Sequence, residues 1–178
     1  MFTTAMIAAL SAADSGLAQC QYSVTQWAPW ACEWEGNHAY TGTGLNDLGA
    51  WCGYRLMCWP EEGEWWLPIY CPPGGMPQVL PMPPNADSEG AQATALNNTG
   101  FVVGWYRRPP WNLDTACAWL PDGSVIDLFP IASGDRSNAN DVNDAGVIVG
   151  VHWIANGTPS SVPFVWSDGA AQFLDPAP

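Results

Sequence analysis

Lysine is missing from this chain, and four arginines are its whole complement of fixed cations against seventeen acids, a formal charge of −13. Such an excess repels phosphate backbones and anionic headgroups within the screening length of salt, so nucleic acid is not an expected partner. No uncharged apolar run reaches about 18 residues, and no membrane insertion is expected. Histidine is almost as scarce. His38 and His152 lie in separate segments with no serine or cysteine at a diagnostic spacing, which leaves no nucleophile triad to draw. Only 12% of the residues are charged, whereas 18 Gly and 17 Pro punctuate the chain in a way that suits short strands joined by turns better than long helices.

What is abundant is tryptophan, 12 residues in a sequence that is 48% hydrophobic, enough to fill one sizeable core. The pattern that organises those residues is a repeat. LNNTGFVVGW (Leu96 to Trp105) recurs as LNDLGAWCGY (Leu45 to Tyr54) and VNDAGVIVGV (Val142 to Val151). Its anchors Asn46, Asn97 and Asn143 stand 51 and 46 residues apart, a period that fits one four-stranded unit. After each of Gly53, Gly104 and Gly150 come a loop and a further strand, LPIYC, TACAW or VPFVW, then a turn at Gly75, Gly123 or Gly169 and a leucine at Leu80, Leu128 or Leu174. The second copy reads as ATALN, FVVGW, TACAW and SVIDL. Asn, Asp and Gly at the anchor tolerate positive φ and let the asparagine bond its own backbone, as a tight hairpin requires. By the period of two, Cys117 and Trp119 share a face, as do Phe164 and Trp166, and Ile69 and Cys71; that face is expected in the core.

The expectation is therefore an all-β fold of three four-stranded units, about 41–80, 91–128 and 138–174 within a domain over 41–178, arranged as propeller-like blades. A β-trefoil or β-prism is the alternative for three copies. Residues 1–18 carry a short apolar run followed by small residues and resemble the later part of a secretory signal, although a basic start is lacking. Residues 19–40, dense in Trp and Cys, fall outside the repeat and read as a capping segment.

The anchors together resemble the HAF-repeat extracellular proteins of bacteria, on Ala93 to Asn97, Gly100, Val102 to Gly104, Ala116 to Trp119, Gly123 and Asp127-Leu128. The third copy matches nearly as well. The first departs at Cys52 and Cys71, and the histidine of the family's name is absent throughout. The resemblance spans about Thr41 to Leu174 and implies a secreted protein with propeller-like blades and no catalytic residue.

Chemical constellations are few. Glu33, Glu35, Glu61, Glu62 and Glu64 cluster in turns, which favours solvated loops over a hydrolytic pair. Asp141-x-Asn143-x-x-Gly146 approaches a calcium loop, but Ala145 stands at a ligand position and no acid closes it. No metal or cofactor is implied, and the chain reads as not an enzyme. Six cysteines suit an oxidising compartment, with Cys20, Cys32, Cys52, Cys58 and Cys71 as disulfide candidates and Cys117 as a buried thiol. Trp119 and Trp166 belong to the core by repeat position. Trp65, Trp66, Trp105, Trp111 and Trp153 fall at or in the variable stretch after the FVVGW strand and its counterparts, where binding residues collect on a β scaffold. They are the candidate interface or ligand residues. The functional expectation is a secreted, non-catalytic structural or interaction protein that self-assembles as a dimer or filament; a lectin-like module binding a glycan through these tryptophans is the alternative. Three units are too few to close a ring of roughly four to eight blades, which is why a homo-oligomer is expected.

Overall fold

A computed structural model describes residues 38–59, 63–84, 86, 90–109, 113–129, 134–155 and 161–174. The signal-like stretch, most of the capping segment, Cys20, Cys32 and Trp111 lie outside them, as does the side chain of Cys58.

The described residues form strands and no helix, in three separate four-stranded antiparallel sheets, none closed into a barrel. The first sheet is β1 (His38–Leu45), β2 (Trp51–Trp59), β3 (Gly63–Cys71) and β4 (Gln78–Val79). The second is β5 (Ala91–Leu96), β6 (Val102–Arg108), β7 (Leu113–Trp119) and β8 (Val125–Asp127). The third is β9 (Arg136–Val142), β10 (Ile148–Trp153), β11 (Ser161–Ser167) and β12 (Ala170–Phe173). In each, neighbours in the chain are neighbours in the sheet.

The repeated residues explain this uniformity. Asn46, Asn97 and Asn143 open the turn between the first two strands, and the turn closes on Gly49, Gly100 and Gly146, whose φ values of 82°, 83° and 77° exclude most side chains. The second repeated glycine meets a different demand. At Gly53, Gly104 and Gly150 a Cβ would overlap the carbonyl oxygen of Thr41, Gln92 or Asn138 on the neighbouring strand. Each first strand also carries a bulge, at Thr43, Thr94 and Asn140, which turns that side chain out of the alternation.

The core lies between the sheets. Cys52 of the first sheet meets Ala91, Ala93, Leu96 and Trp119 of the second. On the opposite face of the second sheet, Val103, Ala116 and Ala118 meet Val142, Ile148 and Phe164 of the third. Small residues at Ala91 and Ala93 let the sheets approach closely. So does Gly44, where a Cβ would come within 3.0 Å of the Ala95 Cα. Trp119 is fully buried and its indole N–H donates to the Pro81 carbonyl at 2.7 Å, tying the second sheet to the connector that precedes it.

Two expectations need correction. The β2–β3 hairpin keeps its pairing out to Trp59 opposite Gly63, so Trp65 and Trp66 are strand residues rather than loop residues. Cys52 and Cys71 are buried free thiols, as is Cys117. Cys52 pairs with Tyr70 and Trp51 with Cys71, which puts the two sulfurs on opposite faces of one sheet, where no bridge can form.

Candidate functional site

The feature that repeats most faithfully is a hydrogen-bonded ladder at the turns joining first and second strands. In every copy the anchor asparagine uses its Oδ1 locally, accepting backbone N–H groups two and four residues on: Leu48 and Ala50, Thr99 and Phe101, Ala145 and Val147, all at 2.9–3.1 Å. The amide end is then free to leave the turn. Asn46 Nδ2 donates to the Asn97 carbonyl at 3.0 Å, and Asn97 Nδ2 to the Asn143 carbonyl at 2.9 Å.

The next residue reinforces the step. The Asp47 N–H donates to Asn98 Oδ1 at 3.0 Å, and the Asn98 N–H to Asp144 Oδ1 at 2.8 Å. One contact runs both ways, for Asn98 Nδ2 lies 3.1 Å from Asp47 Oδ2 and 2.9 Å from Asp144 Oδ2 and so links the two carboxylates. These bonds hold the Asp144 carboxyl below its ordinary value, the backbone N–H of Asn98 acting first and its side chain second. A third rung comes from the bulge: the Thr43 hydroxyl donates to the Ala93 carbonyl at 2.7 Å, and that of Thr94 to the Ala139 carbonyl at 2.6 Å.

The chain matches no family model, no curated protein and no solved structure.

The described candidate tryptophans, Trp65, Trp66, Trp105 and Trp153, do not converge on one site. Trp66 and Trp105 meet edge to face with ring centroids 6.2 Å apart, and the Arg107 guanidinium sits 4.5 Å from the Trp66 ring centre. A cation over one face of Trp66 leaves less of it for a sugar ring to stack on. Trp65 alternates with Trp66 along β3 and so faces the other way, its indole N–H buried without a partner among the described residues. Trp153 is exposed at the far end of the third sheet.

Two side-chain oxygens of the calcium-like stretch are engaged within it. Asp141 Oδ1 accepts the Val142 N–H, and Asn143 Oδ1 holds its own turn. Among the described residues no group of three metal-ligating side chains comes together. No described helix is long and apolar enough to cross a membrane.

Sequence reasoning did not foresee the cluster around His152. Its Nε2 lies 3.3 Å from Asp135 Oδ2, and its ring is flanked by Phe129 at 5.3 Å and Phe173 at 5.2 Å. Phe129 meets Phe164 edge to face at 4.6 Å, so the cluster joins the connector before β9 to the third sheet. Among the described residues the cysteines offer no reactive centre. Burial pushes the Cys52 thiol up to about 11 and that of Cys117 well above the usual thiol range, which keeps both protonated and inert at neutral pH.

Proposed function

We propose that this is a non-catalytic, extracellular β-repeat protein of the HAF-repeat kind, with its sheets serving as propeller-like blades and its role structural, through association of copies of the chain. The observation that carries the reading is the exposed apolar face at the end of the sheet stack. Val149, Trp153 and Leu174 are exposed on or beside the third sheet, on the side away from the second. In the first and second sheets the residues at the Val149 position, Cys52 and Val103, are buried beneath the next sheet. An apolar sheet face left open at the end of a stack invites another sheet.

The high negative charge opposes association, so the contact is apolar and backbone-mediated and tightens as salt screens the repulsion. Static light scattering of the full chain at micromolar concentration tests this. The reading expects a mass above 19.1 kDa that rises with salt, and a 19.1 kDa monomer at every salt concentration overturns it. Carbohydrate binding is the rival reading of the tryptophans. A glycan array with specific hits abolished by Trp66→Ala or Trp105→Ala would favour it instead.

A further inference from the structure

The junctions between sheets have a direction. At both, the earlier repeat supplies the anchor amide, the next backbone N–H and the bulge hydroxyl, and the later repeat supplies their acceptors, although at the first junction Asn98 Nδ2 also donates back to Asp47 Oδ2. The third repeat carries the same donors, Asn143 Nδ2, the Asp144 N–H and the side chain of Asn140. None of these finds an acceptor among the described residues. The first repeat carries the corresponding acceptors, the Gly42 and Asn46 carbonyls and the Asp47 carboxylate, and no donor from a preceding repeat reaches them among the described residues.

Apolar positions show the same polarity. Cys52 and Val103 occupy one repeat position and are both 0% exposed beneath the following sheet, whereas Val149 at that position is 43% exposed. Leu96 and Val142 occupy another and are 7% and 6% exposed against the preceding sheet, whereas Leu45 is 57% exposed. Within the chain these two positions meet. The Cys52 sulfur and the Leu96 Cδ2 lie 3.0 and 3.2 Å from the point where Gly44 would carry a Cβ, and Val103 and Val142 share the second core. One end of the stack thus has donors with an open Val149, and the other has acceptors with an open Leu45.

We propose that the third sheet of one copy seats on β1 of a second copy, so that the ladder continues across the molecular boundary in a head-to-tail contact. Asn140, Asn143 and Asp144 meet Gly42, Asn46 and Asp47, and Val149 covers Leu45. The contact centres on β1 and its turn, where Leu45 and Leu48 are open, because Ile69 and Cys71 further along the first sheet are already buried. It differs from the internal junctions in two respects, the first being the Asn140 amide in place of a threonine hydroxyl at the bulge. The second is charge: Asn98 links Asp47 to Asp144 within the chain, whereas across the boundary Asp144 comes beside Asp47, and two carboxylates repel.

The inference rests on the self-association reading and adds its direction, so the test must separate the two. Leu45→Asp blocks the acceptor end and Val149→Asp the donor end, both at exposed positions. Sedimentation velocity at moderate salt should find wild type assembled, each variant alone monomeric, and the equimolar mixture forming a one-to-one pair through its two intact ends. Asp47→Asn, which removes the carboxylate clash, should assemble at lower salt than wild type. If wild type assembles and the mixture stays monomeric, or if Leu45→Asp alone still dimerises while Val149→Asp does not, the contact is not head-to-tail and self-association stands without it. If wild type is itself monomeric, both readings fall, and the cover for the open ends must come from within the chain.

Discussion

Asn97 Nδ2 donates to the backbone carbonyl of Asn143 at 2.9 Å while the Oδ1 of the same side chain holds the N–H groups of Thr99 and Phe101. One amide thus builds its own turn with one end and fastens the following repeat with the other. Aspartate can do only the first of these. Asn97→Asp keeps the local acceptor but sets a carboxylate against the Asn143 carbonyl, and should cost about 1–3 kcal/mol in denaturant unfolding. Asn143→Asp makes the same chemical change where the amide has no partner among the described residues, and should stay within about 0.5 kcal/mol of wild type in the unassociated chain. Equal effects at the two positions would show that the cross-repeat bond contributes nothing.

Gly104 stands where a Cβ would overlap the Gln92 carbonyl oxygen within the central sheet. Gly104→Ala must therefore push β5 from β6, and should destabilise the fold by at least about 1–3 kcal/mol. Gly123→Ala meets no atom but must hold a φ of 84°, so its cost is that of backbone strain alone. Thermal melts of the two variants separate steric from conformational demand.

Much of the architecture was legible because both demands leave marks in the sequence. A glycine at the turn and another four residues on, after an asparagine, gave the register of three units, and the period of two placed Trp119, Cys117 and Phe164 inside. Other features left weaker marks. Nothing in the Trp65-Trp66 pair tells a long hairpin from a loop, because continued pairing depends on the partner strand through Met57 and Leu56. The even number of cysteines suggested bridges, but the pleat sends Cys52 and Cys71 to opposite faces. The ladder did have a sequence signal: all three anchors are Asn, although Asp would cap the turn equally well, so the amide itself must be in use. The His152 and Asp135 pair had none, since it depends on how the connector through Phe129 folds back.

The thiols give a prediction about pH. Cys52 is raised from an ordinary 9.0 to about 11 by burial, so the unfolded chain ionises first as pH rises. Its contribution to stability is complete below about pH 9 and is lost progressively toward about pH 11. Cys117 acts in the same sense. Unfolding midpoints should fall over this interval, and Cys52→Ser with Cys117→Ala should flatten the fall. At neutral pH neither thiol should react with iodoacetamide until the chain is unfolded.

Trp119 and Trp153 separate core from surface. Trp119→Ala removes a fully buried indole and its bond to Pro81, and should cost about 3–5 kcal/mol. Trp153→Ala, at an exposed position, should leave the unassociated chain within about 1 kcal/mol of wild type.

The open ends of the stack can be tested residue against residue. Isotope-labelled Leu45→Cys chain mixed with unlabelled Val149→Cys chain and oxidised gently should yield a disulfide joining position 45 of one to position 149 of the other, since such a bond needs Cα atoms about 5.5–6 Å apart. Peptide mass mapping reads the linkage and its labels. A crosslink between labelled and unlabelled chains through 45 and 149 is the predicted result. Crosslinks that join 149 only to 149, or none at concentrations where the chain is assembled, would contradict a stack continued from copy to copy.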